Sequence, residues 1–324
     1  MDEDQLIGAI VALRSGDARV LIGIGDDGAV WQPSRSHRSV VTTDALVEGV
    51  HFSLQWMTLE QIGWRAMAAN LSDLAAMGAR ARLGTVALGV PPHVDGAGVV
   101  AISRGIADCA GRYGLQIAGG DLTRAPALTI AITAIGEVRP QHVKTRAGAR
   151  PGDVLAVTGE LGASRAGLNV ARGDVTLDDA LRARALAAHC TPVPRMAEGA
   201  WLAASVHVRA MMDCSDGLST DLARLTRASG VGATVDRVPV APAARAAAAQ
   251  RGVDPIAYAL AGGEDYELLV AVQSHAFAHL ARRFAARFGR PLEALGHTRA
   301  DERLVLVNEG REEPIARTGW DHFT

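Results

Sequence analysis

The sequence predicts a two-domain protein of the mixed α/β (α+β) class, with mixed β-sheets covered by helices. The chain has 324 residues, of which 48% are hydrophobic and 21% charged. It is therefore long enough and apolar enough to bury a sizeable core. Runs of Val, Ile and Thr occur between segments of helical spacing, and a polar segment ending in Pro151-Gly152-Asp153 interrupts the chain. We therefore predict one domain over residues 1–139 and another over residues 150–324.

In the first domain, residues 38–44 and 127–138 are rich in β-branched side chains, which predicts strands. Residues 60–77 and 96–113 place apolar side chains at helical spacing, which predicts two helices. Strands and helices therefore mix within this half. This half is the N-terminal domain.

The second domain opens with a predicted strand at residues 154–158, followed by a glycine turn into a helix. Further along, the patterns predict a strand at 210–213, a helix at 218–228, a helix in the alanine-rich residues 243–249, and a strand at 266–272. This alternation predicts a second α/β domain.

Composition excludes several classes of protein. The acidic start of the chain is unlike a secretory signal, and no apolar run reaches the ~18 residues that cross a bilayer, so we expect a cytoplasmic protein without a membrane segment. Cys109, Cys190 and Cys214 are widely spaced and read as reduced thiols. Aromatic residues make up 4% of the chain and no basic run accompanies them, so a nucleic-acid surface is not expected. Because Lys144 is the only lysine, neither a P-loop nor a protein-kinase lysine is available.

The sequence Gly23-Ile24-Gly25-Asp26-Asp27-Gly28 matches the dinucleotide fingerprint G-x-G-x-x-G. That fingerprint works because a helix N-terminus follows it and faces the pyrophosphate. Here the following residues 29–33 favour a strand and run into a proline, and two carboxylates would repel the phosphates. We therefore do not predict a Rossmann fold.

Acidic residues lie at strand ends and in glycine-rich turns: Asp26, Asp27, Asp44, Asp73, Asp121, Asp213, Asp216, Glu264 and Asp265. Any single one is more often a turn former or a helix N-cap. Asp73 differs because it shares a helical stripe with Ile62 and Ala66, unless Ser72 caps a new helix there. Together the acids offer hard oxygen ligands, and His/Cys spacings typical of zinc are missing. Magnesium with a polyphosphate ligand is the chemistry that this set favours.

The ordered motifs resemble those of bacterial thiamine-monophosphate kinases, within the fold group of aminoimidazole-ribonucleotide synthetase and selenophosphate synthetase. The motifs are GIGDDGAV at residues 23–30, TTDALVEGVHF at 42–52, NLSDLAAMGA at 70–79, GGDLTR at 119–124, DCSDGLSTDL at 213–222, GGEDYEL at 262–268 and GWDHF at 319–323. This resemblance implies ATP-dependent phosphorylation of thiamine monophosphate to thiamine diphosphate, the last step of its biosynthesis, by a homodimer.

The resemblance also implies that the N-terminal domain, residues 1–139, binds ATP and magnesium and forms the dimer contact, and that the C-terminal domain, residues 150–324, completes the nucleotide and substrate site. It implies the site residues as well. Several Mg²⁺ ions would be held by Asp27, Thr42, Thr43, Asp44, Asp73, Asp121, Asp213 and Asp216. ATP would contact Tyr113, Gly120, Asp121, Arg146 and Ser215, and the thiamine phosphate would contact His51, Glu264 and Trp320. No residue is predicted to act as a general base.

Alternatives stay open on the residues alone. His51 also fits an exposed strand end, Trp320 a core anchor and Arg146 a solvated linker charge. Selenophosphate synthetase is disfavoured because the first cysteine here is Cys109. An aminoimidazole-ribonucleotide synthetase is the nearest enzymatic alternative, and a non-catalytic nucleotide-binding regulator is the alternative from another class.

Overall fold

The structure, a computed structural model, describes residues 3–13, 19–22, 24 and 29–319. The chain divides into two compact units. The N-terminal unit comprises Met1–Leu74 and Ala79–Gln141, and the C-terminal unit comprises Ala75–Gly78 and His142–Thr324. Within the described residues, no helix combines the length and the apolar character needed to cross a membrane.

The N-terminal unit is built on a four-stranded sheet. Its elements are α1 (Glu3–Val11), β1 (Val20–Ile22), β2 (Val30–Trp31), β3 (Arg38–Val47), α2 (Leu59–Ala76), β4 (Arg80–Val90), α3 (Gly96–Arg112), β5 (Gln116–Arg124) and β6 (Thr129–Val138). The strand order is β3-β6-β4-β5, with β6 antiparallel to β3 and β4, and β4 parallel to β5. Strands β1 and β2 pair separately as an antiparallel ribbon.

One face of this sheet is buried because side chains alternate along each strand. In β6, Ile130 and Ile132 are fully buried, while the alternate residues Thr129, Ala131 and Thr133 are half-buried. Leu74 of α2 lies over Gly136 of β6, so α2 covers this face. On the opposite face Val41 is 63% exposed.

Helices α2 and α3 approach each other closely through two glycines. A Cβ added to Gly63 would overlap the carbonyl oxygen of Ile102, and one added to Gly105 would overlap that of Glu60. Helix α3 begins at an aspartate cap, where Asp95 Oδ1 accepts a hydrogen bond from Gly98 N at 2.8 Å. The small residues therefore set the distance between the helices that cover the sheet.

The C-terminal unit contains a seven-stranded sheet in the order β13-β12-β9-β11-β7-β10-β8. A 3₁₀ turn (Pro140–His142) spans the sequence boundary of the two units. The elements that follow are β7 (Val154–Val157), α4 (Ala163–Arg172), α5 (Asp179–Cys190), α6 (Met196–Ala203), β8 (Val208–Asp213), α7 (Leu218–Ser229), β9 (Gly232–Val235), α8 (Pro242–Gln250), α9 (Pro255–Leu260), β10 (Leu268–Val272), α10 (Ser274–Phe288), β11 (Glu293–Arg299), β12 (Leu304–Asn308) and β13 (Arg311–Pro314). Every residue of β7 and β10 is buried. In this sheet, as far as the structure describes it, β12 and β9 pair in parallel and the other neighbouring strands pair antiparallel.

The fold corrects one expectation from the sequence and settles one alternative. The strand predicted from residue 266 begins at Leu268, because Tyr266 has a left-handed backbone with φ 52°. Ser72 caps no new helix, since α2 continues through it to Ala76 and Ser72 is fully buried. Asp73 therefore does lie on the apolar stripe of α2.

Candidate active site

Strand β3 directs Thr42 and Asp44 toward helix α2. Alternate residues of a strand face opposite sides, and Thr42 and Asp44 are half-buried between exposed neighbours. The hydroxyl of Thr42 donates a hydrogen bond to Oδ2 of Asp73. The structure thus brings three predicted metal-site side chains to one side of the sheet of the N-terminal unit.

Thr43 points to the opposite side of the same sheet. Its hydroxyl donates to the carbonyl oxygen of Ile132 at 3.1 Å and accepts from Thr133 at 3.2 Å. The side chain is exposed on the face that the helices do not cover. The side chain of Thr43 therefore cannot contact a ligand on the face of the sheet that carries Thr42 and Asp44. Of Thr43, only the backbone carbonyl is left for a metal contact there.

His51 follows β3 in a tight turn that fixes its ring. Its ring Nδ1 accepts a hydrogen bond from the backbone N–H of Val47 at 3.0 Å, and the backbone N–H of His51 donates to the Val47 carbonyl oxygen at 2.9 Å. Because Nδ1 is the acceptor, a neutral His51 carries its proton on Nε2. The ring is therefore set to donate a hydrogen bond through Nε2.

Gly120 and Asp121 lie exposed on β5. In the parallel pairing with β4, Gly120 is opposite Val86 and Asp121 is opposite Ala87. A Cβ at Gly120 would overlap the carbonyl oxygen of Val86, so only glycine fits this position without a shift of the strand. Tyr113 is placed elsewhere, as the half-buried C-cap of α3.

In the C-terminal unit, two loops run side by side and bring four predicted residues together. Glu264 N donates to the carbonyl oxygen of Ser215 at 2.7 Å, and Tyr266 N donates to that of Cys214 at 2.9 Å. Asp213 ends β8 immediately before this segment, and Asp216 follows it. The loop of residues 213–216 therefore lies directly against the loop of residues 262–267.

The second of these loops carries backbone strain. Glu264 has φ 67° and Tyr266 has φ 52°, both in the left-handed region that non-glycine residues rarely adopt. Such strain, about 1–3 kcal/mol for each residue, persists where surrounding bonds enforce it and is concentrated at functional sites. Glu264 Oε2 also lies 3.8 Å from Nδ1 of the buried His189. The Glu264 carboxylate therefore lies near the buried His189 ring.

Asp216 is held by two residues of helix α7. The fully buried Asp221 accepts a hydrogen bond from Asp216 N at 3.1 Å, and Arg224 donates to both carboxylates. Burial raises the pKa of the Asp221 carboxyl to about 7, and the charge of Asp216 adds to the rise. The exposed Arg146 is close enough to oppose this rise, which places its guanidinium in the electrostatic field of the same cluster.

Asp265 caps a helix and is not directed at a metal ligand set. Its two carboxylate oxygens accept hydrogen bonds from Gly162 N at 2.6 Å and Ser164 N at 3.1 Å, at the start of α4. Burial raises its pKa to about 7, although those two hydrogen bonds oppose the rise. For this one acid, the ordinary helix-cap interpretation holds.

Glu267 forms a buried ion cluster beside that helix start. It accepts hydrogen bonds from Arg195 at 2.6 and 2.9 Å, from Arg290 at 2.7 Å and from Thr158 at 2.6 Å. Burial raises the pKa of Glu267, but the two guanidinium groups outweigh it and lower the pKa overall. Asp265, Glu267, Arg195 and Arg290 line a cleft of about 440 Å³.

Two predicted residues, Asp27 and Trp320, lie outside the described residues, as does Asp26. The chain is described up to Gly319, where a Cβ would overlap the carbonyl oxygen of Asp216. Thr318 N also donates to Ser219 Oγ at 3.3 Å. The residues immediately before Trp320 therefore pack against the loop that carries Ser215 and Asp216.

The donor atoms present fit a magnesium ion. Asp44, Asp73 and Thr42 offer carboxylate and hydroxyl oxygens in one unit, and Asp213 and Asp216 offer carboxylates in the other, which are the hard ligands that Mg²⁺ prefers. Among the described residues, no three His, Cys, Asp or Glu side chains converge into a preformed metal cluster. Mg²⁺ keeps several waters and takes further oxygens from substrate phosphates.

Sequence reasoning did not assign Asp221, Arg224, Arg195 or Arg290. Asp221 does belong to the motif at residues 213–222. It lies five residues after Asp216 in the first turn of α7, a spacing that allows its carboxylate to accept a hydrogen bond from the backbone of Asp216. The arginines that surround Glu267 come from separate segments, so no spacing reveals them.

Fold and site together define a class of protein. Residues 25–138 match the N-terminal domain of the AIR synthase related proteins, and residues 150–308 match their C-terminal domain. A thiamine-monophosphate kinase of Synechococcus elongatus is 38% identical over 306 residues, which cover 93% of this chain and 91% of the relative. The chain belongs to the thiamine-monophosphate kinase family.

Solved structures agree with this assignment. The crystal structure of thiamine-monophosphate kinase from Stenotrophomonas maltophilia K279a matches with a TM-score of 0.82 and 32% identity, covering 95% of this chain and 96% of that one. A structure described as AaThiL complexed with AMPPCP and TMP matches with a TM-score of 0.78 and 27% identity, covering 90% and 89%. The predicted two-domain α/β fold and the predicted family are both confirmed.

Proposed function

We propose that this protein transfers the γ-phosphate of ATP to the phosphate of thiamine monophosphate, the last step in making thiamine diphosphate. The observation that carries the proposal is the oxygen-rich set on β3 and α2, where Thr42 bonds to Asp73 beside Asp44. A relative of the same fold, at 27% identity, is complexed with AMPPCP, an ATP analogue, and TMP. The acid set fits a metal-bound polyphosphate such as ATP. Together with a phosphorylated acceptor, it fits transfer of a phosphoryl group from ATP to that acceptor.

The acceptor supplies its own nucleophile. A phosphate monoester has a second pKa near ~6, so it is mostly a dianion at neutral pH and needs no general base. This agrees with His51, whose Nδ1 is already bonded to Val47 and whose Nε2–H is a donor. We assign His51 to orienting the acceptor through that donor, with Glu264 and Trp320 contacting the thiamine part.

Magnesium, when bound, screens the repulsion between the two anionic groups and stabilises charge on the transferring phosphoryl group. We assign Asp27, Asp44, Asp73 and Asp121 of the N-terminal unit, and Asp213 and Asp216 of the C-terminal unit, to holding several such ions, with the hydroxyl of Thr42 and the backbone carbonyl of Thr43. Arg146, Tyr113, Gly120 and Ser215 are assigned to ATP. The residues themselves contribute position and charge, which is most of what phosphoryl transfer requires.

We further propose a homodimer formed by the uncovered face of the four-stranded sheet. Val41 is 63% exposed there, and beside it the hydroxyls of Thr43 and Thr133 bond to each other. The proposal follows the family resemblance, and Val41 is an exposed apolar side chain that a second sheet packed on this face would cover. Sedimentation velocity should give a dimer for the wild type and a monomer for Val41→Glu; a wild-type monomer would contradict this part of the proposal.

The reaction is tested with purified protein, ATP, MgCl2 and thiamine monophosphate. We expect thiamine diphosphate to form in step with ADP, and neither product to form with EDTA. ADP without thiamine diphosphate would point to another acceptor, such as that of an aminoimidazole-ribonucleotide synthetase. The absence of ADP would favour a non-catalytic nucleotide-binding protein.

A further inference from the structure

Two side chains without an assigned role, Asp221 and Arg224, fix both the backbone and the carboxylate of Asp216. Asp221 Oδ2 accepts a hydrogen bond from Asp216 N at 3.1 Å, and its Oδ1 accepts one from Arg224 Nη1 at 3.1 Å. The same nitrogen of Arg224 donates to Asp216 Oδ2. One donor therefore links the two carboxylates.

Helix α7 makes this arrangement rigid. Asp221 and Arg224 are three residues apart, so they lie on the same face of the helix. Asp221 is fully buried and its two oxygens are both engaged, which prevents its rotation. The side chain of Asp216 is 25% exposed. In the described part of the chain, no group bonds to its Oδ1, so this oxygen is available to a ligand.

The charges decide what the arrangement can do. An arginine alone beside Asp216 would neutralise it and weaken its attraction for a cation. Arg224 shares its Nη1 donor between Asp216 and Asp221, so the arginine orients Asp216 while its charge is not directed at Asp216 alone. Hydrogen-bonding partners of this kind orient metal-ligating carboxylates, and their loss typically lowers metal affinity 10- to 100-fold.

We propose that Asp221 and Arg224 are positioning residues for a divalent cation at Asp216: Arg224 holds Oδ2 and leaves Oδ1 to the cation. The inference rests on the proposed metal role of Asp216. According to the inference, cation affinity depends on Asp221 and Arg224 of α7 as well as on the carboxylates that bind the cation.

The test measures Mn²⁺ binding to the full-length protein by electron paramagnetic resonance, without substrates. We expect Arg224→Gln to bind Mn²⁺ about 10-fold more weakly than the wild type. Arg224→Lys keeps the charge and a donor and should regain part of the loss. Arg227→Gln is the matched control, because Arg227 is exposed one turn further along α7 and should leave the affinity unchanged. Thermal melting of each variant monitors the fold.

A double variant separates a positioning role from a general charge effect. If Arg224 acts through Asp216, Arg224→Gln should have no further effect on Mn²⁺ affinity in an Asp216→Asn background. An equal loss in that background, or unchanged or tighter binding by Arg224→Gln alone, would overturn the positioning role. Unchanged affinity in Asp216→Asn itself would remove the metal role of Asp216, and the inference with it.

Discussion

Thr42 in β3 donates its hydroxyl hydrogen to Oδ2 of Asp73 in α2, so one hydrogen bond joins the sheet to the helix that covers it. Asp73 lies on a stripe of α2 that also carries the fully buried Ile62 and Ala66. A carboxylate on such a face needs a partner, and Thr42 supplies one. The bond also fixes one oxygen of Asp73 in the proposed metal site.

Thr42→Val should lower kcat/KM at least 10-fold, because the isosteric side chain cannot orient Asp73. Thr43→Val should retain most of the activity, since the Thr43 hydroxyl lies on the opposite face and bonds to Ile132. Steady-state kinetics over a range of MgCl2 concentrations measures both. Equal losses of kcat/KM in the two variants would contradict the assignment of the metal site to the face of β3 that carries Thr42.

Asp44→Asn should reduce kcat about 100-fold or more, because it removes a charge assigned to the metal while preserving shape. Circular dichroism melting should show that the variant stays folded, as Asp44 is only half-buried. Wild-type turnover by Asp44→Asn would refute the metal role that we assign to this residue.

Gly120→Ala should destabilise the N-terminal unit by about 1–3 kcal/mol, because its Cβ would overlap the Val86 carbonyl oxygen. Gly119→Ala is the matched control in the same strand, where a Cβ would meet only Thr85 Cγ2 at 4.0 Å. Urea unfolding compares the free energies of unfolding. A Gly119→Ala variant as unstable as Gly120→Ala would contradict the steric explanation.

Glu264→Gly should be about 1 kcal/mol more stable than Glu264→Ala, because only glycine adopts the φ of 67° without strain. Both variants lose the carboxylate, so both should raise the KM for thiamine monophosphate by the same factor. Chemical unfolding and steady-state kinetics give the two quantities. An alanine variant that equals glycine in stability would show that this loop is unstrained.

Glu137→Gln should destabilise the protein by about 3 kcal/mol at pH 7 and by much less near pH 2. Burial raises the pKa of Glu137, but hydrogen bonds from Ser34, Arg19 and Arg82 lower it to about 2. Because this pKa is depressed in the folded state, the stabilisation is present above pH 4.5 and is lost as pH falls toward 2.

The control for this pH dependence is Glu60→Gln. Glu60 is 46% exposed and lies 3.8 Å from Arg104, so its ion pair should contribute about 0.5 kcal/mol or less at any pH. Unfolding free energies measured from pH 7 down to acid conditions should differ most between the wild type and Glu137→Gln above pH 4.5, and the difference should shrink as pH falls to about 2. A pH-independent difference would contradict the ionised state of Glu137.

The parts of the fold with strong periodicity could be predicted from sequence. The apolar stripe that includes Asp73 predicts α2, and the β-branched runs predict β3 and β6. Each predicted boundary lies within a few residues of the observed one. Strand alternation alone also separates Thr42 and Asp44 from Thr43. The boundary at Leu268 could not be predicted, because the left-handed Tyr266 is imposed by tertiary hydrogen bonds to the loop after β8.

The supporting contacts of the site could not be predicted, since they join distant segments. Glu267 meets Arg195 and Arg290, which lie 72 and 23 residues away in sequence. Asp265 shared its glycine-rich setting with the candidate ligands, yet it caps α4. Residue type and local spacing identify acids that can bind a metal, whereas their partners depend on how helices and strands pack.

The most direct test of the central claim follows the phosphorus atom itself. ATP labelled with ¹⁸O in its γ-phosphate is incubated with the protein, MgCl2 and thiamine monophosphate, and the products are observed by ³¹P nuclear magnetic resonance. We predict that the labelled phosphoryl group becomes the terminal phosphate of thiamine diphosphate, and that no ATP/ADP exchange occurs without the acceptor. Label released as inorganic phosphate with no thiamine diphosphate would contradict the kinase assignment, and exchange without the acceptor would contradict direct transfer.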